Sequence, residues 1–445
     1  MSAGESAFSD AVARSSPEAR LRRRGSISPA AMAVSLYAFM VISRLAEAIP
    51  AAATLRPMVI LAALMVVLAL TLPQSRGYAL VGPVEARGMV SVFFLIALSI
   101  PTSYLPGASF SALVSYSKGL VFFLATIYCI RTRSEFRLAL WSFLAAVGGL
   151  AFVAIAAGRT GRNLVTQSYD SNDLAFVMAC GIPLAILLMF SERGLRRWIL
   201  ASVGLLGTLT VILTKSRGGF IALAVVGLLI LAKIPSRIPF LRVGFVLAAV
   251  LIFALLAPSS YWQRISSIWG GEAPTADGYL AGGFETARWG IWTNGLILIA
   301  SRPVLGVGAG AFAVAEGSLH KGGKWNAPHN SFIQITAELG LPGLAVFLFL
   351  LYRGLGNCRR VIRATRGFRS LAGHFWIAHG LEASLWGYIV AGFALSQAYS
   401  DIFHFLLAMS LILVRLTASR LHRPGTLAAA SVPATTRGPW WRPRV

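Results

Sequence analysis

Residues 198–232 read WILASVGLLGTLTVILTKSRGGFIALAVVGLLILA, which is two apolar segments on either side of a short polar turn. The segments, 198–214 and 219–232, do not alternate in polarity as the strands of a membrane barrel do. A helix that crosses a bilayer needs about 17 to 25 mostly apolar residues. The stretch therefore predicts two transmembrane α-helices that are joined by a tight turn.

The rest of the 445-residue chain repeats this pattern, because hydrophobic residues make up 56% of it and charged residues only 13%. Such a composition excludes a soluble enzyme, a disordered chain, a coiled coil and a collagen. We expect an all-α integral membrane protein with about twelve transmembrane helices. Besides the two above, the predicted helices lie near 31–49, 57–72, 88–104, 112–130, 138–157, 172–190, 243–257, 331–352, 383–399 and 402–418.

The basic residues indicate the orientation of the chain. It carries 40 Lys and Arg against 16 Asp and Glu, a net charge of +24, and most of the cations follow every second predicted helix. Because basic residues that flank a transmembrane helix stay on the cytoplasmic side, both termini are expected on that side. Topology therefore explains the charge, and nucleic-acid binding is not expected. Cys129, Cys180 and Cys358 avoid the outer loops and indicate neither a disulfide framework nor a zinc site.

These patterns divide the chain into regions. They are a disordered, basic cytoplasmic arm at 1–28, transmembrane helices 1–9 at 29–257, an outer loop at 258–330, transmembrane helices 10–12 at 331–422, and a cytoplasmic tail at 423–445. An outer loop of such length indicates a function. A cleaved signal peptide within 1–53 is the less favoured alternative to a retained first helix.

Several cations lie on the predicted outer face. They need another explanation, because basic residues that flank transmembrane helices are normally retained on the cytoplasmic side. The turn Thr214-Lys-Ser-Arg-Gly-Gly-Phe220 holds two of them, Lys215 and Arg217. The guanidinium of Arg217 offers a planar fork of donors that suits a phosphate, and Lys215 adds a compact charge. Gly218 and Gly219 would let the backbone approach a ligand closely. Snorkelling to lipid headgroups is the alternative.

The outer loop contains five further cations of this kind, which are Arg264, Arg288, Arg302, Lys321 and Lys324. Arg288 lies in the apolar stretch 285–301, where Trp289 and Trp292 fall near helical spacing. Trp rings favour the level of the lipid headgroups. We therefore expect a short interfacial helix that carries Arg288, with a thirteenth transmembrane helix as the alternative.

The same loop ends at His329, just before the predicted tenth helix. Asn330 or Ser331 can cap that helix, which would place His329 at a helix N-terminus on the outer face. The free backbone N–H groups and the helix dipole at such a terminus favour a bound anion. The alternative is that His329 only packs or helps to cap the helix.

Three short motifs occur in order along this part of the chain. They are Ser216-Arg-Gly-Gly-Phe220; Arg288 and Trp292 before Pro303-Val-Leu-Gly-Val-Gly308 and Phe312; and His329-Asn-Ser-Phe332 before Glu338-Leu-Gly340 and Gly343. Together they resemble the O-antigen ligase and O-antigen polymerase superfamily of bacterial envelope glycosyltransferases, over roughly residues 160–350. Asp170-Ser-Asn-Asp-Leu-Ala175, at the start of the sixth helix, also resembles a recurrent element of that superfamily.

The resemblance implies a transferase that moves a glycan from an undecaprenyl diphosphate carrier to an acceptor hydroxyl at the periplasmic face of the bacterial inner membrane. The superfamily's usual essential residues correspond to Arg217, Arg288 and His329. The implied partners are the lipid-linked glycan donor, a glycan or lipid A core acceptor, and membrane lipids. A ligase and a polymerase share this chemistry, and the modest outer loop and Trp289-Gly290 leave the choice between them open.

These residue types suit the reaction. As the anomeric bond breaks, the diphosphate gains negative charge that Arg217 and Arg288 would stabilise, with Lys215 as a third contact. His329 suits the role of general base for the acceptor hydroxyl, because an imidazole titrates near neutral pH. Direct attack would invert the anomeric centre. The expected substrate-binding residues are Lys215, Asn330, Asp173 and Glu338.

Two aspartates raise the question of a metal ion. Asp170 and Asp173 have oxygen ligands that suit a hard cation. Capping of the sixth helix by Ser171 or Asn172 explains this polar stretch equally well. We therefore expect a metal-independent reaction and no other cofactor.

Glu338 is expected within the membrane, on a continuous helix that begins after His329. It should either pair with a buried polar group or contact the acceptor, because an uncompensated carboxylate there is costly. Together with Lys118 it is the main argument for the rival class, a transporter or flippase, which would place ionisable residues midway through several spans.

Overall fold

The computed structural model describes residues 27–48, 57–72, 81–156, 169–214, 216–233, 285–319 and 326–421. Every regular element within these ranges is a helix. The predicted helix at 243–257, most of both terminal regions and much of the segment 258–330 lie outside the described residues, as does Lys215.

The described α-helices are numbered in chain order. They are α1 Pro29–Ser43, α2 Leu45–Ala48, α3 Pro57–Leu70, α4 Val84–Ser99, α5 Pro106–Cys129, α6 Arg133–Ala156, α7 Ser171–Leu188, α8 Leu195–Thr214, α9 Arg217–Lys233, α10 Glu285–Ser301, α11 Phe312–Gly317, α12 Ser331–Thr365, α13 Ala372–Gly392 and α14 Asp401–Leu421. Short 3-10 helices follow α4 at Ile100–Thr102 and precede α13 at Arg369–Leu371.

Seven of the described helices are long and apolar enough to cross a membrane. They are α4 with its 3-10 turn, α5, α6, α7, α8, α12 and α14. Three shorter apolar helices, α1, α3 and α9, lie where further spans are predicted. The all-helical membrane architecture is confirmed within the described residues, whereas the number of twelve spans and the outer position of 258–330 stay predictions.

The predicted helix that carries Arg288 is present as α10, with the bounds expected from the sequence. It has 17 residues and is shorter and less apolar than the helices that qualify as spans. This observation favours the interfacial position over a thirteenth transmembrane helix.

The helix predicted near 383–399 is present, but its bounds are wrong, because α13 begins well before residue 383 and already ends at Gly392. The chain then leaves the helix because its backbone bonds to a side chain of α12. The Ser331 hydroxyl donates to the carbonyl of Leu395 at 2.7 Å and accepts from the N–H of Gln397 at 2.9 Å. Hydropathy alone does not reveal such a partner.

The helix that begins after His329 is continuous through Glu338, as expected, but the predicted span 331–352 is interrupted just beyond it. Gly340 interrupts α12 with φ 69° and ψ −171°, a conformation that strains any residue with a Cβ. A hydrogen bond to another segment stabilises the interruption, because the N–H of Leu341 donates to the carbonyl of Pro303 at 2.7 Å. A Cβ on Gly340 would collide with the backbone of Val304. The chain that follows α10 is thereby fastened to α12.

α7 is the most buried of the candidate spans and packs against α8, α9 and α13. Small residues let these helices approach closely, as is common in membranes. A Cβ on Gly219 of α9 would collide with Ala175 of α7, and a Cβ on Gly387 of α13 would collide with the backbone of Ala179. The contact at Gly219 brings the turn before α9 against the first turn of α7.

Candidate functional site

His329 stands just before α12 in an unusual backbone conformation. Its φ of 46° lies in the left-handed region, which His adopts more readily than most residues but at a cost in free energy. The next residue, Asn330, is the N-cap of α12, and its side-chain oxygen accepts from the N–H groups of Phe332 and Ile333 at 2.9 and 3.1 Å. The predicted cap is confirmed, and it fixes His329 at the start of the helix.

α10 is held against the residues that precede α12. The indole N–H of Trp292 donates at 2.9 Å to the carbonyl of Pro328, the residue before His329. Further along α10, Gly295 packs so closely on the side chain of Ile333 that a Cβ would collide with it. Arg288 is half-buried and lies one helical turn before Trp292. These contacts bring Arg288 into the neighbourhood of His329.

The surroundings of His329 favour its neutral form. Burial lowers the pKa of its imidazole from the usual 6.5, and the guanidinium of Arg288 lowers that pKa further. The carboxylate of Asp170 acts in the opposite direction. Arg288 and Asp170 are therefore both within electrostatic range of the imidazole. A neutral imidazole can accept a proton, so the arrangement suits a general base.

The turn before α9 is bonded to the first turn of α7. The Ser216 hydroxyl donates to Asn172 Oδ1 at 2.7 Å and accepts from the N–H of Gly219 at 3.1 Å. Arg217, the first residue of α9, therefore begins its helix beside α7. The Arg217 side chain and the whole of Lys215 lie outside the described residues, so their phosphate contacts stay predictions.

Asp170 caps α7, which corrects the expectation that Ser171 or Asn172 does so. Its Oδ1 accepts from the N–H groups of Asn172 and Asp173 at 2.7 and 2.8 Å, and Asp173 Oδ2 accepts from the N–H of Asp170 at 3.4 Å. This reciprocal capping uses one oxygen of each carboxylate. In the part of the chain that the structure describes, no group of three or more His, Cys, Asp or Glu residues is placed to hold a metal ion. Metal independence stays a prediction.

Asp173 is joined to the start of α12 by Gln397, a residue that the sequence analysis missed. Gln397 Nε2 donates to Asp173 Oδ1 at 2.8 Å, and the N–H of Gln397 donates to Ser331 Oγ at 2.9 Å. A signal was present, because Ser396-Gln-Ala-Tyr-Ser400 is a polar run inside an otherwise apolar region. The first turns of α7 and α12 therefore meet through residues 393–400, which we name the 393–400 segment.

Glu338 lies in the first part of α12 and is 2% exposed. Its Oε2 accepts from the hydroxyl of Tyr399 at 2.9 Å. The predicted pairing with a buried polar group is confirmed, and a contact with the acceptor stays a prediction. Asn330 is likewise buried, with its side-chain oxygen used for capping, so its role in substrate binding also stays a prediction.

Arg302 has a structural role. It is another of the cations on the predicted outer face that the orientation of the chain does not explain. Its guanidinium donates to the carbonyl of Thr102 and lies over the ring of Tyr104, with the guanidinium carbon 4.5 Å from the ring centroid. These contacts fasten the end of α10 to the chain before α5. Arg302 therefore differs from Arg288, which lies beside His329.

A family model described as O-antigen ligase matches residues 201–348. The matched region contains Arg217, Arg288 and His329, the three residues that the sequence analysis placed in the catalytic site. The match confirms the resemblance to the O-antigen ligase and polymerase superfamily. A comparison with curated proteins found no match.

Proposed function

We propose that the protein transfers a glycan from an undecaprenyl diphosphate carrier to an acceptor hydroxyl at the periplasmic face of the inner membrane. The match of residues 201–348 to the O-antigen ligase family model supports this proposal. The observation that carries the proposal is the closeness of Arg288 and His329 at the start of α12. A diphosphate leaving group needs a fixed cation, and an attacking hydroxyl needs a base. This end of the bundle offers both.

Arg288 acts on the leaving group. When the bond between the anomeric carbon and the diphosphate oxygen breaks, its electron pair and a negative charge pass to the diphosphate. A fixed and partly desolvated guanidinium stabilises that charge more than water does. Arg288 meets this requirement because it is half-buried on a helix that Trp292 holds in place. Arg217 and Lys215 would add two further cations.

His329 acts on the acceptor. It takes the proton that the hydroxyl loses as its oxygen attacks the anomeric carbon, so the imidazole must be neutral when the reaction begins. Burial and Arg288 lower its pKa and so favour that form. After the transfer, repulsion between the imidazolium and Arg288 favours release of the proton to the diphosphate or to water. A single displacement of this kind inverts the anomeric centre and requires no metal ion.

The test is an envelope glycan gel of cells that lack the protein and carry wild type, His329→Ala or Arg288→Ala, with lipid-linked intermediates extracted from the same cells. Both variants are expected to lose the glycan product while the lipid-linked donor accumulates. Single repeat units on the carrier would identify a polymerase, whereas long chains on the carrier would identify a ligase. Normal glycans from both variants would overturn the assignment and favour a transporter or flippase.

Arg302→Ala is the matched control. It removes a cation next to the same helix, but the contacts of Arg302 are with Thr102 and Tyr104 and not with His329. At equal protein levels in the membrane fraction, its glycans are expected to match wild type. Loss of product in this variant would mean that the gel reports general damage around α10.

A further inference from the structure

A polar cavity of about 240 Å³ lies beside the candidate site. Its walls come from the end of α1, the start of α7, the 393–400 segment and the start of α14. The polar lining residues that matter here are Arg44, Tyr169, Asp173, Gln397, Ser400 and Asp401. Of these, only Asp173 was expected to bind substrate.

Two lining residues, Asp173 and Gln397, connect the cavity to the surroundings of His329. Asp173 belongs to the first turn of α7, and the cap of that helix, Asp170, is within electrostatic range of the imidazole. From the other side, Gln397 donates to the hydroxyl of Ser331, which follows His329 by two residues. The cavity and the proposed base therefore share the first turns of α7 and α12 as neighbours.

The lining suits a ring with many hydroxyl groups. The carboxylates of Asp173 and Asp401 accept hydrogen bonds, the guanidinium of Arg44 donates them, and the Ser400 hydroxyl can do both. A phosphate would face two carboxylates and one guanidinium, and the like charges would repel it. An acyl chain would bury these polar groups without giving them partners.

Arg44 is fixed in the wall of the cavity by two contacts. Its Nη1 pairs with Glu47 Oε1 at 2.8 Å, and its guanidinium carbon lies 5.2 Å from the centroid of the Tyr169 ring. These contacts hold the guanidinium in one position at the edge of the cavity.

We propose that this cavity binds one sugar residue of a glycan substrate, next to the base that activates the acceptor hydroxyl. Its volume of 240 Å³ is below the range of about 300 to 1,000 Å³ for drug-sized ligands, so it suits a single ring. The inference rests on the proposed glycosyl transfer and deepens it. The sugar belongs either to the donor glycan or to the acceptor glycan, which share this chemistry.

Cysteine labelling tests the proposal without relying on catalysis. Ser400→Cys and Val41→Cys place thiols on two walls of the cavity, in a chain whose three native cysteines are all buried. Each variant is made in the full chain together with His329→Ala, so that substrates are not consumed, and is treated with a water-soluble maleimide in proteoliposomes. Ser384→Cys is the matched control, because Ser384 is 0% exposed, lies outside the cavity and is expected to stay unlabelled.

The vesicles contain no addition, undecaprenyl diphosphate alone, undecaprenyl diphosphate carrying the glycan, or envelope glycolipid from cells that lack the protein. At a concentration about ten times the dissociation constant, a glycan-bearing molecule is expected to slow labelling about tenfold. Protection by the glycan-bearing carrier identifies the donor sugar, and protection by the envelope glycolipid identifies the acceptor sugar. Equal protection by the bare carrier, or no protection at all, overturns the proposal.

Wild-type transfer is measured in parallel with the same preparations. Transfer without protection would support the proposed function and contradict the proposed sugar site. Protection without transfer would support the sugar site and contradict the proposed function. Failure of one proposal is thereby distinguished from failure of the other.

Discussion

Two of the places where charged residues meet in the described bundle have different arrangements. In one, α9, α12 and α13 contribute Lys233, Arg359 and Glu382. Lys233 Nζ donates to one oxygen of the Glu382 carboxylate, and Arg359 Nε donates to the other at 2.9 Å. We name this group the Glu382 cluster. In the other, Arg288 lies beside His329 and disfavours its protonated form.

The difference distinguishes a structural role from a functional one. The carboxylate of Glu382 has a cation on each oxygen, so its charge is compensated within the chain and joins three helices. A cation beside a base gains no such compensation from it. Arrangements of this second kind are typical of sites where a substrate supplies the opposite charge. The Glu382 cluster therefore suits a structural role, whereas the Arg288–His329 pair keeps the imidazole neutral and suits a site of proton transfer.

The largest expected effect is a loss of stability at the Glu382 cluster. Glu382→Ala leaves Lys233 and Arg359 without their carboxylate, and breaking a buried pair in this way costs about 3 to 5 kcal/mol. Because the Arg359 side chain is 50% exposed, we expect the lower end of that range. Thermal unfolding of the purified protein in detergent measures the loss.

The control for this variant is Glu47→Ala. It breaks the pair with Arg44, whose side chains are 38% and 30% exposed, and exposed pairs contribute at most about 1 kcal/mol. Equal melting temperatures for Glu382→Ala and Glu47→Ala would contradict the structural role of the Glu382 cluster.

The second effect is on catalysis, and it should leave stability unchanged. Arg288→Ala is expected to lower kcat by about 100- to 1,000-fold, the usual cost of losing a donor to a developing negative charge. Transfer by the reconstituted protein gives the rate, and the melting temperature is measured on the same sample. Arg288→Lys should recover part of the rate, because Lys keeps the charge but not the planar fork of donors. A joint loss of activity and melting temperature would place Arg288 with the structural charges instead.

The third effect lies between the two regions, since α12 begins two residues after His329 and contains Arg359. Gly340→Ala puts a Cβ on a backbone with φ 69°, against Val304, and such strain costs about 1 to 3 kcal/mol. Because Val304 follows α10, kcat should fall as well. Gly356→Ala is the control, since a Cβ there meets open space and Ala favours the helix. Equal destabilisation by both substitutions would contradict the claim that the helix break at Gly340 requires glycine.

Those features of the fold that depend on local pattern could be predicted from the sequence. The length and polarity of the apolar segments gave most of the described spans to within a few residues. The Trp spacing in 285–301 gave the bounds of α10, and the residue type at Asn330 gave the cap of α12. Each of these signals lies within the element that it predicts.

The remaining features depend on contacts between distant segments. The break at Gly340 requires the carbonyl of Pro303, and the early end of α13 requires the hydroxyl of Ser331. Gln397 was missed for the same reason, because a polar residue in an apolar region does not reveal its partner. The pairing of Arg288 with His329 was expected only from the family resemblance, since their separation along the chain does not determine a distance.

A smaller effect concerns the cap beside His329. Asn330→Ala removes the oxygen that accepts from Phe332 and Ile333 and is expected to cost about 1 kcal/mol of stability. Asn330→Asp keeps that oxygen but loses the amide donor. If the amide contacts substrate, Asn330→Asp should raise KM while the melting temperature stays near wild type. An unchanged KM would limit Asn330 to capping.

The smallest expected effect is a shift of the pH profile, and it tests the base within the Arg288–His329 pair. Arg288 lowers the pKa of His329, whereas Asp170 raises it. Asp170→Asn removes the raising charge but keeps a capping side chain on α7, so the pKa of His329 should fall further. Because the neutral imidazole is the active form, the acidic limb of kcat/KM should move to lower pH, with little change in rate at neutral pH. A limb that stays in place would mean that another group sets it, and His329 would then lose its assignment as the base.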